Sequence, residues 1–332
     1  MKGRHEMVIT ENLKRRFVKD TALPIKIFDD TVFFDRLRLF EPVLGSATKW
    51  KQFVEYLRQF KDEHEFFDEQ DRIKQAAIDY ITNTEAFQKF NCDDINKYQC
   101  NNTGYPGNGV FKDCHVGKYL LSIDMVKANF TSLRHYNPDI FGGAETYEDF
   151  IGKFTDSEYV KSSKYIRQVI FGNINPKRTQ TYERYLMDKI LTALFSHLKV
   201  ERKKVLYFGS DEIVIDISEF VHDEEIDEKV KLMVEKIVEQ AKADGINVRH
   251  EYYEMMKIVG TAGFVKNYFS DTCTKDNDFK CLDPIEYPFV VRNYLSEEPQ
   301  PCDFIFIHES RKAQLLEPIE VKFTCHIEGG DV

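Results

Sequence analysis

The stretch from Val205 to Ile217, V-L-Y-F-G-S-D-E-I-V-I-D-I, decides how this chain folds. Two apolar runs of strand-forming residues flank a short acidic segment, Gly-Ser-Asp-Glu. This pattern predicts a β-hairpin with Asp211 and Glu212 at its tip. Because buried strands on both sides fix where these carboxylates point, we interpret them as part of a functional site. An ordinary polar hairpin turn is the alternative interpretation.

A second acid, Asp124, comes at the end of an apolar, strand-like run from Tyr119 to Ile123. If this strand is a neighbour of the hairpin, Asp124 and the Asp211-Glu212 pair converge on one place. Clustered carboxylate oxygens form the hard site that Mg²⁺ prefers. The sequence therefore predicts a Mg²⁺ (or Mn²⁺) site, and capping of the following helix by Asp124 is the alternative.

Composition predicts a folded protein of two or three lobes. The chain has 332 residues and a mass of 39.1 kDa, more than one compact core usually holds, and 42% of its residues are hydrophobic. Its formal net charge of -10 argues against binding of nucleic acid over the whole surface, although a local basic groove can coexist with an acidic exterior. No apolar stretch is long enough to span a membrane and the N-terminus has no apolar signal core, so we expect no membrane partner and a cytoplasmic location.

The pattern along the chain predicts three segments. Residues 1–108 are expected to form a mostly helical lobe, because apolar residues recur at helical spacing in runs such as Trp50 to Phe60. Residues 109–269 contain the strands that carry the acids. Residues 270–332 are expected to form a small C-terminal lobe with short strands.

The order of elements in the middle segment predicts the fold class. A strand ending at Asp124 is followed by helical segments, the acidic hairpin, another helix and further strands. This is the order of an α+β protein, an antiparallel sheet with helices on one face. The further strands are predicted at 246–253 and 257–264. The C-terminal strands, at 303–308 and 319–323, should pair with each other or extend a small sheet.

The helix before the hairpin is expected to begin after Asn175 as its N-cap, with Pro176 in the first turn. Its first turns carry three basic residues, Lys177, Arg178 and Arg184. These side chains either bind phosphate groups or form a solvated helix face.

The motifs around the acids resemble those of palm-domain nucleotidyltransferases. Reverse transcriptases and viral RNA polymerases have an Asp followed a few residues later by an aromatic residue, and D-M-V-K-A-N-F at 124–130 is similar. The hairpin Y-F-G-S-D-E at 207–212 resembles their paired-acid turn, the G-G-D-E-F turn of diguanylate cyclases and the S-D-E turn of tRNA-His guanylyltransferases. The resemblance covers residues 118–269, under half of the chain.

Spacing favours the polymerase type among these families. Asp211 follows Asp124 by 87 positions (211 minus 124), which leaves room for two helices, whereas the cyclases and guanylyltransferases generally need one. The segment G-N-I-N-P-K-R at 172–178 looks like the loop and helix that polymerases place between their acidic motifs to contact template and nucleotide. Two features differ from the polymerase pattern: Glu212 replaces the usual second Asp, and the loop lacks the Gln-Gly pair of reverse transcriptases.

The resemblance implies roles for individual residues in two-metal phosphoryl transfer. Asp124 would bridge both ions, and Asp211 or Glu212, with the backbone carbonyl of Met125, would complete the metal site. Lys257 would protonate the leaving pyrophosphate. The residues implied to bind the nucleotide are Asn175, Lys177, Arg178 and Arg184.

The resemblance also implies a fold and a function. The fold is a palm-like sheet with a fingers-like N-terminal lobe, which should border the active-site cleft, and a small C-terminal lobe. The function is metal-dependent addition of nucleotides, from a nucleoside triphosphate, to an RNA or DNA end. The alternatives are a nucleotide cyclase, a guanylyltransferase-like enzyme, and a non-catalytic binding protein with the same fold.

Overall fold

The architecture is α+β, as expected, with a mostly antiparallel sheet and helices. A computed structural model describes residues 7–223, 225–269 and 276–326. The predicted segment boundary at 269/270 lies at the edge of a stretch outside these ranges. Within them, every helix is too short or too polar to cross a membrane.

The helices form two groups along the chain. Those before the main sheet are α1 (Glu11–Thr21), α2 (Asp30–Leu39), α3 (Glu41–Leu44), α4 (Ser46–Leu57), α5 (Glu63–Thr82) and α6 (Glu85–Cys92). Those between or after its strands are α7 (Ala128–Tyr136), α8 (Tyr147–Ile151), α9 (Glu158–Ser162), α10 (Lys164–Gly172), α11 (Pro176–Leu198), α12 (Glu228–Ala243) and α13 (Tyr287–Tyr294).

The strands are found mainly in the second half of the chain. They are β1 (Tyr119–Met125), β2 (Val205–Phe208), β3 (Glu212–Asp216), β4 (Val221–His222), β5 (Glu225–Ile226), β6 (Val248–Val259), β7 (Phe264–Tyr268), β8 (Asn277–Lys280), β9 (Ile305–His308), β10 (Arg311–Gln314) and β11 (Lys322–Thr324).

The main sheet is built around β1. Its strands follow the order β2-β3-β1-β6-β7-β8, and β11 pairs with β6. β1 runs antiparallel to both of its neighbours, β3 and β6, so β1, the helices after it, the β2-β3 hairpin, α12 and β6 form a β-α-β-β-α-β arrangement. The expectation that the strand ending at Asp124 lies beside the acidic hairpin is confirmed, because Asp124 is directly opposite Glu212.

Side chains of β1 alternate between two environments, because successive residues of a strand point to opposite faces of the sheet. Leu121, Ile123 and Met125 are buried in the large core with the helices, whereas Leu120 belongs to a small apolar cluster on the other face. Asp124 is on the same face as Leu120, an even number of positions away. The helices therefore cover one face of the sheet and leave the carboxylates on the other.

Only part of the carboxylate face is covered by apolar packing. The buried members of its small cluster are Val110, Leu120, Leu206, Val214, Tyr253, Met255 and Phe264, with Phe111, Val116, Tyr207 and Tyr268 packed against them. Residues 110–116 come from the loop before β1. Along β1 this packing reaches Leu120, and the next residues on the same face, Ser122 and Asp124, are polar. The loop thus covers the half of the face that lies farther from Asp124.

The N-terminal helices share a core with the opposite face of the sheet. Buried side chains such as Phe17 and Phe66 belong to the same core as Leu121 and Ile123, and none of the described residues 7–109 belongs to the small apolar cluster. Both α1 and α5 pack against α10. The lobe is mostly helical, as expected, but its packing lies behind the helix layer and does not support the predicted position beside the acidic cleft.

The C-terminal strands pair differently from the prediction. β9 pairs with β10, and β11 pairs with β6 of the main sheet, so the predicted strands at 303–308 and 319–323 do not pair with each other. β8 extends the main sheet beyond β7. A buried ion pair between Arg36 and Asp303 joins the C-terminal segment to α2. The C-terminal segment is therefore packed against the N-terminal helices.

One long strand replaces most of the two strands predicted between residues 246 and 264. β6 runs without a break to Val259, and the chain reverses at the turn that follows. Gly260 in this turn has a φ of 89°, and a Cβ atom there would lie 2.0 Å from the carbonyl oxygen of Glu320. Glycine is required at this position because any side chain would collide with the backbone. Lys257 consequently belongs to β6 and not to the next strand.

Candidate functional site: the carboxylate cluster

Acidic side chains from β1, the β2-β3 hairpin, β6 and α11 gather near the end of β1. Asp124 is opposite Glu212 of β3 on one side and opposite Arg249 of β6 on the other. The backbone N–H of Met125 donates a hydrogen bond of 2.7 Å to the carbonyl of Asp211, which ties the hairpin turn to the end of β1. We use the name carboxylate cluster for the set Asp124, Glu183, Asp211, Glu212 and Glu251.

The hairpin turn is fixed by its own backbone and by the strands beside it. The N–H of Gly209 donates to the carbonyl of Glu212 at 2.9 Å. Phe208 and Ile213, directly outside this bond, are fully buried. Because both strand ends are anchored in the core, the backbone that carries Asp211 and Glu212 is held in place, as the sequence pattern indicated.

Asp124 is held by one arginine and surrounded by other acids. Arg249 Nε and Nη2 each lie 3.0 Å from Asp124 Oδ2. Burial raises the pKa of Asp124 to about 6; Arg249 opposes this rise, and Glu212 and Asp211 add to it. The Arg249 side chain is 62% exposed. Because an ion pair at such an exposed position contributes little free energy, another cation can replace Arg249 at a small cost.

A buried lysine lies between two other acids of the cluster. Lys266 Nζ is 3.2 Å from Glu251 Oε2 and 3.9 Å from Glu212 Oε1, and it stands over the ring of Tyr253, 4.5 Å from its centroid. The hydroxyl of Ser122 donates to the same oxygen, Glu212 Oε1, at 2.6 Å. Glu212 Oε1 thus accepts a hydrogen bond from Ser122 and forms an ion pair with Lys266.

Glu183 on α11 is a member of the cluster that the sequence analysis missed. It is 2% exposed, and Asn129 Nδ2 donates to its Oε1 at 2.6 Å. Burial and the neighbouring charge of Asp211 raise the pKa of Glu183 to about 7, with the Asn129 bond opposing them. The sequence did contain a sign of this role: Glu183 is on the same helix face as the apolar residues Leu186 and Ile190. An unpaired charge is costly to bury on such a face.

The residues predicted to bind the nucleotide are not brought together. Lys177 is exposed, while Arg178 donates to the carbonyl of Asp93 and stands over the Phe90 ring. Asn175 occupies the N-cap position of α11 with Pro176 directly after it, as expected, but its side chain makes no capping hydrogen bond and donates instead to Asn91.

Arg184 is the one predicted basic residue that lies at the hairpin. It directly follows Glu183 in the chain, and its guanidinium carbon is 4.8 Å from the centroid of the Phe208 ring. The three basic residues of α11 that were predicted to bind the nucleotide therefore divide into one beside the site and two that face elsewhere.

Lys257 does not lie at the carboxylate cluster. It is eight residues beyond Arg249 on β6, roughly 26 Å along an extended strand. Its Nζ is 3.3 Å from Asp113 Oδ1 and stands over the Phe264 ring. The predicted proton transfer from Lys257 to pyrophosphate is incompatible with this distance, and the mistaken break in β6 explains the error.

The donors of the carboxylate cluster fit a hard divalent cation. The cluster has five acids, and the described cations in contact with it are two, Arg249 and Lys266. The raised pKa values of Asp124 and Glu183 are a direct consequence of burying this excess of acids. The Met125 side chain is 2% exposed on the opposite face, so only its backbone carbonyl is available as a ligand. Oxygen donors with excess negative charge are what Mg²⁺ and Mn²⁺ require.

Known proteins offer no direct comparison for this arrangement. No protein-family model matches the chain, and neither a curated protein nor a solved structure matches it. The resemblance to palm-domain enzymes therefore rests on the sequence motifs and stays a prediction.

Proposed function

We propose that this protein is a metal-dependent nucleotidyltransferase that adds nucleotides from a nucleoside triphosphate to an RNA or DNA end. The observation that carries the proposal is the cross-strand pairing of Asp124 with Glu212, with Asp211 held against Met125 in the adjacent turn. These acids lie on the sheet face that the helices leave open. Carboxylates in excess at such a position are a recognised sign of a functional site.

Asp124 and Asp211 are the residues proposed to hold the divalent cation, with the Met125 carbonyl as a further oxygen ligand. When bound, the metal would stabilise the attacking oxygen and the leaving pyrophosphate. Glu212 is fixed by Ser122 and Lys266 and keeps the negative potential of the site high. These assignments retain the acids identified from the sequence and change the part that Glu212 plays.

Arg249 replaces Lys257 as the proposed cation for the leaving phosphates. Its guanidinium already lies at the carboxylates and is exposed, so it is free to contact phosphate oxygens once a metal occupies Asp124. Guanidinium groups suit this role because they bind phosphate oxygens in pairs. Arg184, at the hairpin, is the second candidate for a phosphate or template contact.

A nucleotide cyclase or guanylyltransferase-like enzyme is the second candidate, and one observation favours it. The N-terminal helices pack behind the helix layer rather than beside the acids. A long template groove needs a wall on the carboxylate face, and these helices do not supply one. An enzyme that acts on a nucleotide or a single nucleic-acid end needs no such wall.

The test is incubation with labelled nucleoside triphosphates and Mg²⁺ or Mn²⁺, with and without primed RNA or DNA. Extended strands support the polymerase type, and cyclic or singly transferred products support the second candidate. Asp124→Asn and excess EDTA serve as controls, and each should remove the product. If the folded wild type gives no product and no nucleotide-dependent rise in melting temperature, the non-catalytic alternative is favoured instead.

A further inference from the structure

The feature of the cluster that most restricts its chemistry is the buried ammonium group of Lys266. We propose that Lys266 acts as a built-in cation in the place of a second metal ion, so that the site holds a single divalent ion between Asp124 and Asp211. This inference rests on the proposed function, whose palm-domain pattern implied two ions.

The side chains around Lys266 hold its ammonium group in place within the sheet. Its side chain is 8% exposed, and its Nζ contacts Glu251 and Glu212, which are 13% and 30% exposed. Tyr253 lies beneath it with a fully buried side chain, and the Tyr253 hydroxyl has no hydrogen-bond partner among the described residues. The Tyr268 hydroxyl donates to Glu251 Oε2 at 3.4 Å. An ammonium group surrounded in this way has little freedom to move out.

The two cations of the site differ in how easily an entering ion replaces them. The guanidinium of Arg249 is 62% exposed, so it can turn into solvent when an ion binds at Asp124. Lys266 is 8% exposed, and its removal would leave the partly buried Glu212 without a cation and Glu251 with only Arg249 at 3.9 Å, which is unfavourable. A first divalent ion therefore displaces Arg249 and binds at Asp124, whereas a second would have to displace Lys266.

The hydrogen bonds of Glu212 lead to the same conclusion. Its Oε1 accepts from Ser122 at 2.6 Å and faces Lys266 Nζ at 3.9 Å. Asp211 receives from the side chains of the described residues only a long bond of 3.3 Å, from Ser210. Asp124 and Asp211 are thus available as ligands, and Glu212 is a positioning residue that connects the ion site to Lys266.

The experiment is to count bound Mn²⁺ by electron paramagnetic resonance of the free ion, with the purified full chain and no nucleic acid. We expect about one Mn²⁺ per wild-type chain and per Lys266→Arg chain, and about two per Lys266→Met chain, because only the last variant frees Glu212 and Glu251. Two ions in the wild type, or one in a folded Lys266→Met protein, would overturn the inference. No bound ion in the wild type would instead count against the proposed function itself.

A second pair of variants tests the inference even if Lys266→Met does not fold. Both remove one negative charge by a nearly isosteric change, Asp124→Asn at a proposed ligand and Glu212→Gln at a proposed positioning residue. Mn²⁺ affinity should fall more than about 100-fold in Asp124→Asn and by about tenfold or less in Glu212→Gln. Equal losses would mean that Glu212 is itself a ligand, and the single-ion assignment would be wrong.

Discussion

The acids around Asp303 and those around Asp124 lie in opposite electrostatic surroundings. Asp303 is fully buried and binds Arg36 and Arg292, while its neighbour Asp35 also faces both arginines. Asp35, Cys302 and Asp303 lie close enough to share a metal ion in geometric terms. Both aspartates already face two arginines, however, and the third acid in contact with these arginines, Glu297, is half exposed, so a further cation would gain little there. Proximity of ligand atoms alone is a poor guide to a metal site.

The carboxylate cluster has the opposite balance, since its acids outnumber the cations in contact with them. Burial and mutual repulsion raise the pKa of Asp124 and of Glu183, whereas Asp303 contacts the buried Arg36 and the partly buried Arg292. The ion pairs of Asp303 join the C-terminal segment to α2 and α13. Charges left unpaired at the end of β1 cost folding free energy and are retained for another purpose, which we take to be binding of a cation.

The largest expected effect is on chemistry at Asp124. Asp124→Asn removes one negative charge from the proposed metal site, so nucleotide transfer should fall by at least about 1000-fold, on the order of 4 kcal/mol of transition-state stabilisation. The free energy of unfolding should stay equal or rise slightly, because repulsion from Glu212 and Asp211 is relieved. The measurement is a labelled-nucleotide assay combined with urea unfolding.

The addition of Mn²⁺ separates this result from a simple capping role of Asp124. Wild-type protein should melt at a higher temperature with Mn²⁺ and nucleoside triphosphate. A ligand that binds only the folded state stabilises it by about 2.7 kcal/mol at a hundredfold excess over the dissociation constant. Asp124→Asn should lose most of that gain. Equal gains in both proteins would place the metal elsewhere.

Asp303→Asn should show the reverse pattern, a loss of stability without a loss of chemistry. The change leaves Arg36, whose side chain is 6% exposed, with only the more distant of its two carboxylates, Asp35 at 3.5 Å. The free energy of unfolding should fall by about 3 to 5 kcal/mol, as when one member of a buried ion pair is removed. Urea unfolding measures the loss, and Asp35→Asn, at a more exposed acid, is the matched control with a smaller effect. Normal stability of Asp303→Asn would show that the comparison between the two groups of acids is mistaken.

Glu183 gives a test that depends on pH. Its pKa is raised to about 7 from the ordinary 4.5, so the folded state holds the proton more tightly and the resulting stability is present below pH 4.5. This stability is lost as pH rises through 7. Glu183→Gln removes the titration and keeps an acceptor for Asn129, so the variant should be more stable than wild type by about 3 kcal/mol at pH 8 in EDTA.

At pH 4.5 the stabilities of wild type and Glu183→Gln should agree to within about 0.5 kcal/mol, because Glu183 is then protonated in the folded state and about half protonated in the unfolded state. Glu145→Gln is the matched control, since Glu145 is exposed. Its stability should follow that of wild type at every pH. A constant difference between Glu183→Gln and wild type from pH 4.5 to 8 would mean that the Glu183 carboxyl is not under the predicted repulsion.

Local patterns in the sequence predicted the hairpin and the acids at its tip, because turn residues and strand formers act over short distances. The sequence analysis made the pairing of β1 with β3 the condition for a shared metal site, and the structure meets that condition. Arg249 and Lys266 were missed because their approach to the acids depends on the register between strands, which a single sequence leaves open. Glu183 was missed because it enters the site from a helix that packs against the turn.

The sequence could not predict where the N-terminal helices pack, for a similar physical reason. Periodicity shows that Phe53 and Leu57 share a buried helix face, but it does not show what that face packs against. In the structure these residues belong to the core on the helix side of the sheet. The expected wall beside the acids came from the resemblance and not from the periodicity.

The smallest expected effect concerns the two ends of β6. Lys257→Met should leave nucleotide transfer unchanged and lower stability by no more than about 1 kcal/mol, because it breaks an ion pair with Asp113, whose side chain is 66% exposed, and replaces the cation over the Phe264 ring by an apolar group. Arg249→Met is the matched change at the carboxylate end and should raise KM for the nucleoside triphosphate while leaving stability nearly the same. Steady-state kinetics on both variants measures the difference. If Lys257→Met lowered transfer and Arg249→Met did not, the leaving phosphates would lie at the opposite end of the strand, and the carboxylate cluster would no longer be the site of the reaction.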